Sequence, residues 1–523
     1  MKRRDFCKGL AVTLAAGALA PGAALPQAGA ATALVGRAVP DDYYTLWYRS
    51  DRCGADLRHD YYYSDSLFDH PATEYDNQLA LATLGMAAAA DCPWESDQRY
   101  WMEGEVGRAD HIRDAFAKLG FTEVQLFNYT HSLNDAPDTA ACAVARKTLV
   151  RGGRQVTIIG AFLRGSGYGA EWSGNLHTGS GSAHTGFVAA ARQLTEKIRG
   201  YVQASAKRQP LGTLKLWMGG YSRGAAVANL LAARVNKELP GLERENVFVY
   251  TFATPVALGP QDYPDLQQDY DNNHNADGSL KESWGESNIF NIISSGDIVP
   301  HLLPEEWSFH RNGNDRFLPS TRNEEELEDL NEMGKNDFGP TPLDFSWLAT
   351  DKETDEVMLR MEEYFISREN YHEKYEAALM DMIQCAFIRS EEEVTQNKVL
   401  DDGEVIQRLR TLTHLKNMDY WKISRAVWAA STMSRAVLKR VDAENIPIRA
   451  QQIVVPILAV GLCYGLESEA VSLIAKYILM FVAMKSAPDD AIRAAFCHHC
   501  ENYIALMEYY APSEHCMEAT TRT

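Results

Sequence analysis

The chain has 523 residues, 46% of them hydrophobic, with 71 acidic side chains against 51 lysines and arginines and a formal net charge of −20. That composition is globular, and the length is ample for one large core plus an added domain. So acidic a chain excludes nucleic acid and anionic membrane surfaces as primary partners.

Met1-Lys2-Arg3-Arg4-Asp5-Phe6-Cys7-Lys8 is a basic opening with paired arginines. A weakly apolar stretch from Gly9 to Leu25 and small residues at Ala28-Gly29-Ala30 follow. This is the layout of a cleavable signal peptide over 1–30, and the Arg3-Arg4-x-Phe6 spacing predicts the twin-arginine export machinery. Cys7 precedes the apolar stretch, so it does not read as a lipoprotein cysteine. The expected location is exported, periplasmic or secreted, as in bacteria. Removing Lys2, Arg3, Arg4 and Lys8 with Asp5 leaves the remainder more acidic still.

Residues 31–150 read as an α-rich lead-in. One helix is predicted from Asp76 through Ala82, and another through His111–Leu119 with Asp110 as N-cap and Gly120 as its stop. Val124–Tyr129 is the predicted first strand. Val156–Leu163 follows as a buried-strand pattern leading into Arg164-Gly165-Ser166. An oxyanion hole needs backbone N–H groups at a strand-end loop, and Ser166 is placed to supply one.

The apolar run Leu214–Met218 leads into Gly220-Tyr221-Ser222-Arg223-Gly224, and a small-residue helix opens at Ala225. This is the strand–turn–helix context of a nucleophile elbow. Ser222 is the candidate nucleophile, and the N–H of Arg223 is the other candidate oxyanion donor. Phe248–Pro255 and Ile289–Ile298 predict two more strands. The second ends in Asp297, where a carboxylate can orient a histidine. The order Ser222, Asp297, later His is that of α/β-hydrolases.

Residues 321–490 read as a mostly helical insertion or cap that opens on the acidic run Asn323–Asp329. Helical patterns are predicted at about 352–388, 403–416, 419–443, 450–466 and 468–486. The last two are very apolar, but Glu467, Glu469 and Lys476 interrupt them short of the ~20 residues that span a bilayer. A cap of this kind could line an acyl pocket and meet a lipid surface transiently. The segment 491–523 is expected to return to the core.

Four histidines compete for the base: His310 near Asp297, His372 at a helix start, and His498 and His499 near the C-terminus. Cys497 and Cys500, with His498, His499, His515 and Cys516, have metal-ligand types, but zinc sites usually pair two such knuckles and only one compact cluster exists. Asp271–Glu282 has oxygen ligands at calcium-loop spacing from Asp271, with Ala276 where the loop needs glycine, so a polar surface loop is expected. A bridge between two of Cys53, Cys92 and Cys142 is permitted by export. No metal or cofactor is expected.

Several blocks together resemble the class 3 lipase family. Phe162-Leu163-Arg164-Gly165-Ser166, with Glu171-Trp172 and Asn175-Leu176, is similar to its Phe-Arg-Gly-Thr/Ser…Asp-Trp…Asp-Leu segment. Ala183-His184-Thr185-Gly186-Phe187, the elbow, Tyr250-Thr251-Phe252-x-x-Pro255 and Asp297-Ile298-Val299-Pro300 follow in family order, and the resemblance spans roughly residues 75–320. His498-x-x-Glu501-x-Tyr503 resembles the segment that carries the base in many bacterial relatives. The resemblance therefore implies an α/β-hydrolase fold with a mainly parallel sheet, a catalytic core over 151–320, and His498 as base ahead of His372, His499 and His310. It implies a lipase or esterase acting on acyl esters. Phospholipase, thioesterase, amidase or a non-catalytic binding protein are the alternatives. Two departures stand out. Arg223 replaces the leucine usual after the serine and sets a cation beside the oxyanion hole, and Asn175 replaces an aspartate.

Overall fold

The computed structural model describes residues 37–50, 52–91, 109–129, 139–165, 175, 183–239, 241–258, 286–301, 309–320, 323–362, 488–514 and 520–521. Its centre is a seven-stranded sheet in the order β3-β4-β5-β6-β7-β8-β9. The strands are β3 (Thr122–Phe127), β4 (Cys142–Arg151), β5 (Arg154–Leu163), β6 (Thr213–Tyr221), β7 (Val247–Phe252), β8 (Ile289–Ser294) and β9 (Asn314–Leu318). β3, β4 and β5 pair antiparallel, and from β5 to β9 every pairing is parallel. Parallel strands need crossovers, which lay helices on both faces and bury the strands completely. Val247–Phe252 and Ile289–Ser294 are buried at every position for this reason.

One face packs the helices Thr185–Arg208 and Arg223–Glu238 through residues such as Phe187, Leu194, Val227 and Leu231. The other packs Asn77–Ala90, Asp110–Lys118 and Cys500–Tyr509 through Leu84, Phe116, Trp217 and Tyr503. The parallel register pairs Leu163 with Gly220, Tyr221 with Phe252, and Phe252 with Ile292. The carboxyl ends of β5, β6, β7 and β8 are thus level, the edge at which open α/β sheets place their sites.

The lead-in differs from the α-rich expectation. It begins with a hairpin of β1 (Asp42–Ser50) and β2 (Ala55–Tyr63), paired Ser50 to Ala55 across a turn in which Gly54 has φ +61°. Leu46, Tyr48, Leu57, Tyr61 and Tyr63 alternate inward, the period-2 pattern of a half-buried strand. β4 was hidden by Arg146 and Lys147, whose charges sit in a buried strand because Glu123 and Asp65 pair with them at 2.8 and 2.5 Å. Helix Asn77–Ala90 starts from Asp76, whose side chain accepts Leu79 N–H. The next helix includes Asp110 in its first turn, with Ala109 as N-cap.

Within the expected insertion, the acidic run forms the helix Glu324–Asn336, capped by Asn323, and a second helix spans Asp351–Glu362. Residues 363–487, with the remaining cap helices and the acyl-pocket expectation, lie outside the described residues, as do residues 1–30. Among the described residues no helix is long and apolar enough to cross a membrane. After helix Pro488–Phe496 the chain returns to the core through Cys500–Tyr509, and Ser513 bridges to Phe317 of β9.

Candidate active site

Ser222 sits between β6 and the helix Arg223–Glu238 with φ +54° and ψ −123°, a conformation that costs a non-glycine residue ~1–3 kcal/mol. Its surroundings hold it there. Ser222 N–H donates to Phe252 O at 3.0 Å. A Cβ on Gly220 would stand 2.4 Å from Gly224 O, and one on Gly224 would stand 2.5 Å from both Leu163 O and Arg164 O. Only two glycines allow the strand to turn this sharply into the helix while β5 passes alongside. The turn raises Oγ above the sheet edge.

His498 Nε2 lies 2.8 Å from Ser222 Oγ, and its Nδ1 lies 2.9 Å from Asp297 Oδ2 and 3.1 Å from Oδ1. The histidine and aspartate are 201 residues apart in the chain. Asp297 is completely buried. A buried carboxylate requires donors, and it has them. Besides His498, Tyr503 Oη donates to Oδ2 at 2.7 Å and Val299 N–H to Oδ1 at 2.9 Å. Tyr503 in turn accepts Ser294 N–H at 3.1 Å. Burial, and then the Asp297 charge, hold the Tyr503 phenol well above its ordinary pKa, so it stays a donor. Tyr221 Oη donates to His498 O at 2.9 Å, fixing the backbone of the turn that carries the imidazole.

The other expected site residues are dispersed. His499 caps the helix Cys500–Tyr509 and its ring meets Phe496 edge-on at 5.6 Å. His310 is an edge residue whose backbone bridges Leu258, with His310 N–H donating to Leu258 O at 2.8 Å. His372 and Ser166 lie outside the described residues. His301, close to Asp297 in the turn Val299–His301, is pushed down to about 4 by burial and by Arg311. Cys497 accepts Ala349 N–H at 3.1 Å, and burial pushes its thiol up to about 12. Cys53, Cys142, Cys497 and Cys500 are free thiols. Cys92, Cys516, His515 and the loop Asp271–Glu282 are outside the described residues. Among the described residues, no three His, Cys, Asp or Glu side chains are grouped to hold a metal.

Arg223 does not set its cation beside the oxyanion position as expected. Its side chain is buried and turned back into the protein. Nε and Nη2 donate to Thr139 O at 3.2 and 2.7 Å, and Nη1 to Asn175 Oδ1 at 2.7 Å. Only its N–H, the first of the helix, remains at the nucleophile end, where helical N–H groups lack intrahelical acceptors and the dipole is positive. The sequence marks Tyr503 only within the His498-x-x-Glu501-x-Tyr503 resemblance and Arg223 and Asn175 only as departures from it, without their partners. A tyrosine five residues past a histidine, or an arginine after a serine, has no local signature of its partner.

The lipase (class 3) family matches residues 163–307. No curated protein matches the sequence. Similar solved structures include the triacylglyceride lipase of Rhizomucor miehei, 20% identical over 46% of this chain and 79% of that one, with a TM-score of 0.30. A lipase from Rhizopus microsporus var. chinensis is 16% identical over 47% and 76%, with a TM-score of 0.30. An extracellular lipase of Serratia marcescens is 15% identical over 45% and 43%, with a TM-score of 0.29. The matched segment contains Ser222 and Asp297, so the part of the chain that carries the elbow and the acid, set on a mostly parallel sheet flanked by helices, is similar to the lipase (class 3) family.

Proposed function

We propose that the protein is an exported serine hydrolase of acyl esters, working through Ser222, His498 and Asp297. The observation that carries this is the continuous relay from Ser222 Oγ through both nitrogens of His498 to a buried carboxylate. Serine is a weak nucleophile unless a base takes its proton as it attacks. Oγ bonds to the acyl carbon, its proton passes to Nε2, and the carbonyl π electrons move onto oxygen. The N–H of Arg223, together with that of Ser166, receives the oxyanion. Collapse of the intermediate breaks the bond to the leaving alkoxide, which takes the proton from Nε2. Water then repeats the sequence on the acyl-enzyme. Asp297 keeps the proton on Nδ1, so Nε2 faces the serine as acceptor, and it stabilises the imidazolium. Export through the twin-arginine route rests on residues 1–30 alone.

The test is turnover of a p-nitrophenyl ester series, short to long acyl, beside Ser222→Ala. Turnover that disappears in the variant and favours longer chains supports a lipase. Turnover that persists in Ser222→Ala overturns the assignment. No turnover of any ester by folded protein redirects it to amide, thioester or phospholipid substrates, each assayed with the same variant.

A further inference from the structure

Arg223 has an unusual double position. Its backbone N–H opens the helix behind the nucleophile, and its guanidinium reaches into a buried junction of three other segments. Two donors close on Thr139 O, just before β4, and a third reaches Asn175 Oδ1. The Asn175 carbonyl accepts His184 Nε2 at 3.0 Å, and His184 N–H is itself tied to Ala257 O at 2.8 Å. The His184 ring stacks on Phe187 with centroids 3.8 Å apart, and the guanidinium stands 5.4 Å from the centre of the same Phe187 ring. A planar, permanently charged fork suits such a junction, because it can serve two acceptors in fixed directions and lie against an aromatic ring.

From this geometry we infer that the Arg223 side chain is a positioning residue for the oxyanion donor that its own backbone supplies, an inference that rests on the proposed acyl-transfer reading. The physical reason is rigidity. An N–H at the first position of a helix has no intrahelical acceptor to fix it, and an oxyanion donor must point where charge develops before the reaction begins. Bonds from the same residue to Thr139 and Asn175 hold that peptide against rotation. A leucine here keeps the N–H but removes its anchor. A lysine keeps the charge but cannot serve both acceptors with one planar group.

The full-length protein tests this in a short-chain p-nitrophenyl ester assay with Arg223→Leu, Arg223→Lys, Asn175→Ala and Asn175→Asp. Each is checked for folding by thermal melting and assayed well below its midpoint. Binding of a trifluoromethyl ketone, which forms a tetrahedral oxyanion on serine, is measured in parallel. The expected result is a kcat lowered ~10²-fold in Arg223→Leu with little change in KM, since a misdirected donor approaches the loss of one donor. The ketone should weaken in step. Arg223→Lys should recover only a small part, Asn175→Ala should fall between, and Asn175→Asp, which keeps an acceptor, should stay near wild type. Wild-type kcat and ketone affinity in folded Arg223→Leu, or full activity in Arg223→Lys, overturn the inference. Activity that fails to depend on Ser222 overturns the underlying reading instead.

Discussion

Tyr503 Oη and His498 Nδ1 meet on the same oxygen of Asp297, at 2.7 and 2.9 Å. The phenol draws on the charge that the imidazolium would otherwise hold alone. Replacing Tyr503 by Phe removes one of the donors that hold this buried carboxylate against His498. kcat/KM should fall ~10-fold as the carboxylate loses a charge-assisted bond worth ~1.5–3 kcal/mol. Steady-state kinetics reads this; an unchanged kcat/KM would count against it.

Asp297→Asn should keep the site's shape and destroy its chemistry. An amide can donate to Nδ1 and thereby place the imidazole proton on Nε2, facing the serine. A loss of ~10⁴ in kcat is expected by analogy with other triads. His498→Ala should cost at least ~10³, and combining it with Ser222→Ala should cost little beyond the larger single loss, because members of one relay are not additive. His499→Ala and His310→Ala should stay within a few-fold of wild type, and steady-state kinetics on these variants checks the assignment.

Gly224→Ala tests the elbow. The added Cβ would lie 2.5 Å from two backbone carbonyls of β5 and its exit. The helix must back away from the sheet, so stability should fall by ~1–3 kcal/mol or more. Activity should fall with it, since Ser222 rides on that turn. Denaturant unfolding beside the ester assay measures both.

Lys147 is buried in β4 and donates to Asp65 Oδ1 at 2.5 Å and to Leu119 O at 2.8 Å. Burial lowers its pKa, and Asp65 opposes the shift. Lys147→Met strands the Asp65 carboxylate, for which ~3–5 kcal/mol is typical. Adding Asp65→Asn should recover part of that, and a double-mutant cycle in urea is the measurement.

His301 is held down at about 4 in the folded chain, first by burial and then by Arg311. An unfolded histidine takes up its proton near pH 6.5. Folding is therefore fully supported above that pH, and stability should drain away as pH falls from about 6.5 towards 4, where only the unfolded state binds the proton. His301→Gln should flatten unfolding free energy measured across that window.

Much of the strand framework was legible locally. β7 and β8 are buried throughout and β5 and β6 over their carboxyl halves, which needs continuous apolar runs, and such runs announce themselves. Ser222 was legible because a strained turn needs glycines at 220 and 224. Asp297 was legible because it follows a strand in family order. The hairpin β1–β2 was misread because its tyrosines and charges mask a period of two, and β4 because its buried cations find their partners only in Glu123 and Asp65.

The chain by itself singled out Ser222 and Asp297 as candidates, the apolar runs of β5 to β8 and a short list of bases, because each depends on neighbours a few residues away. Only tertiary structure decided which histidine stands between Ser222 and Asp297. His499 follows His498 directly, yet it caps the next helix while His498 faces the serine. That choice depends on how a C-terminal turn docks against a sheet edge, through Tyr221 on the backbone of His498 and Tyr503 on Asp297. The same is true of Arg223. Its position after the serine suggested a cation facing substrate, and the acceptors at Thr139 and Asn175, 84 and 48 residues away, turned it inward. A buried guanidinium goes where its hydrogen bonds can be met, and contacts that distant leave no trace in local sequence.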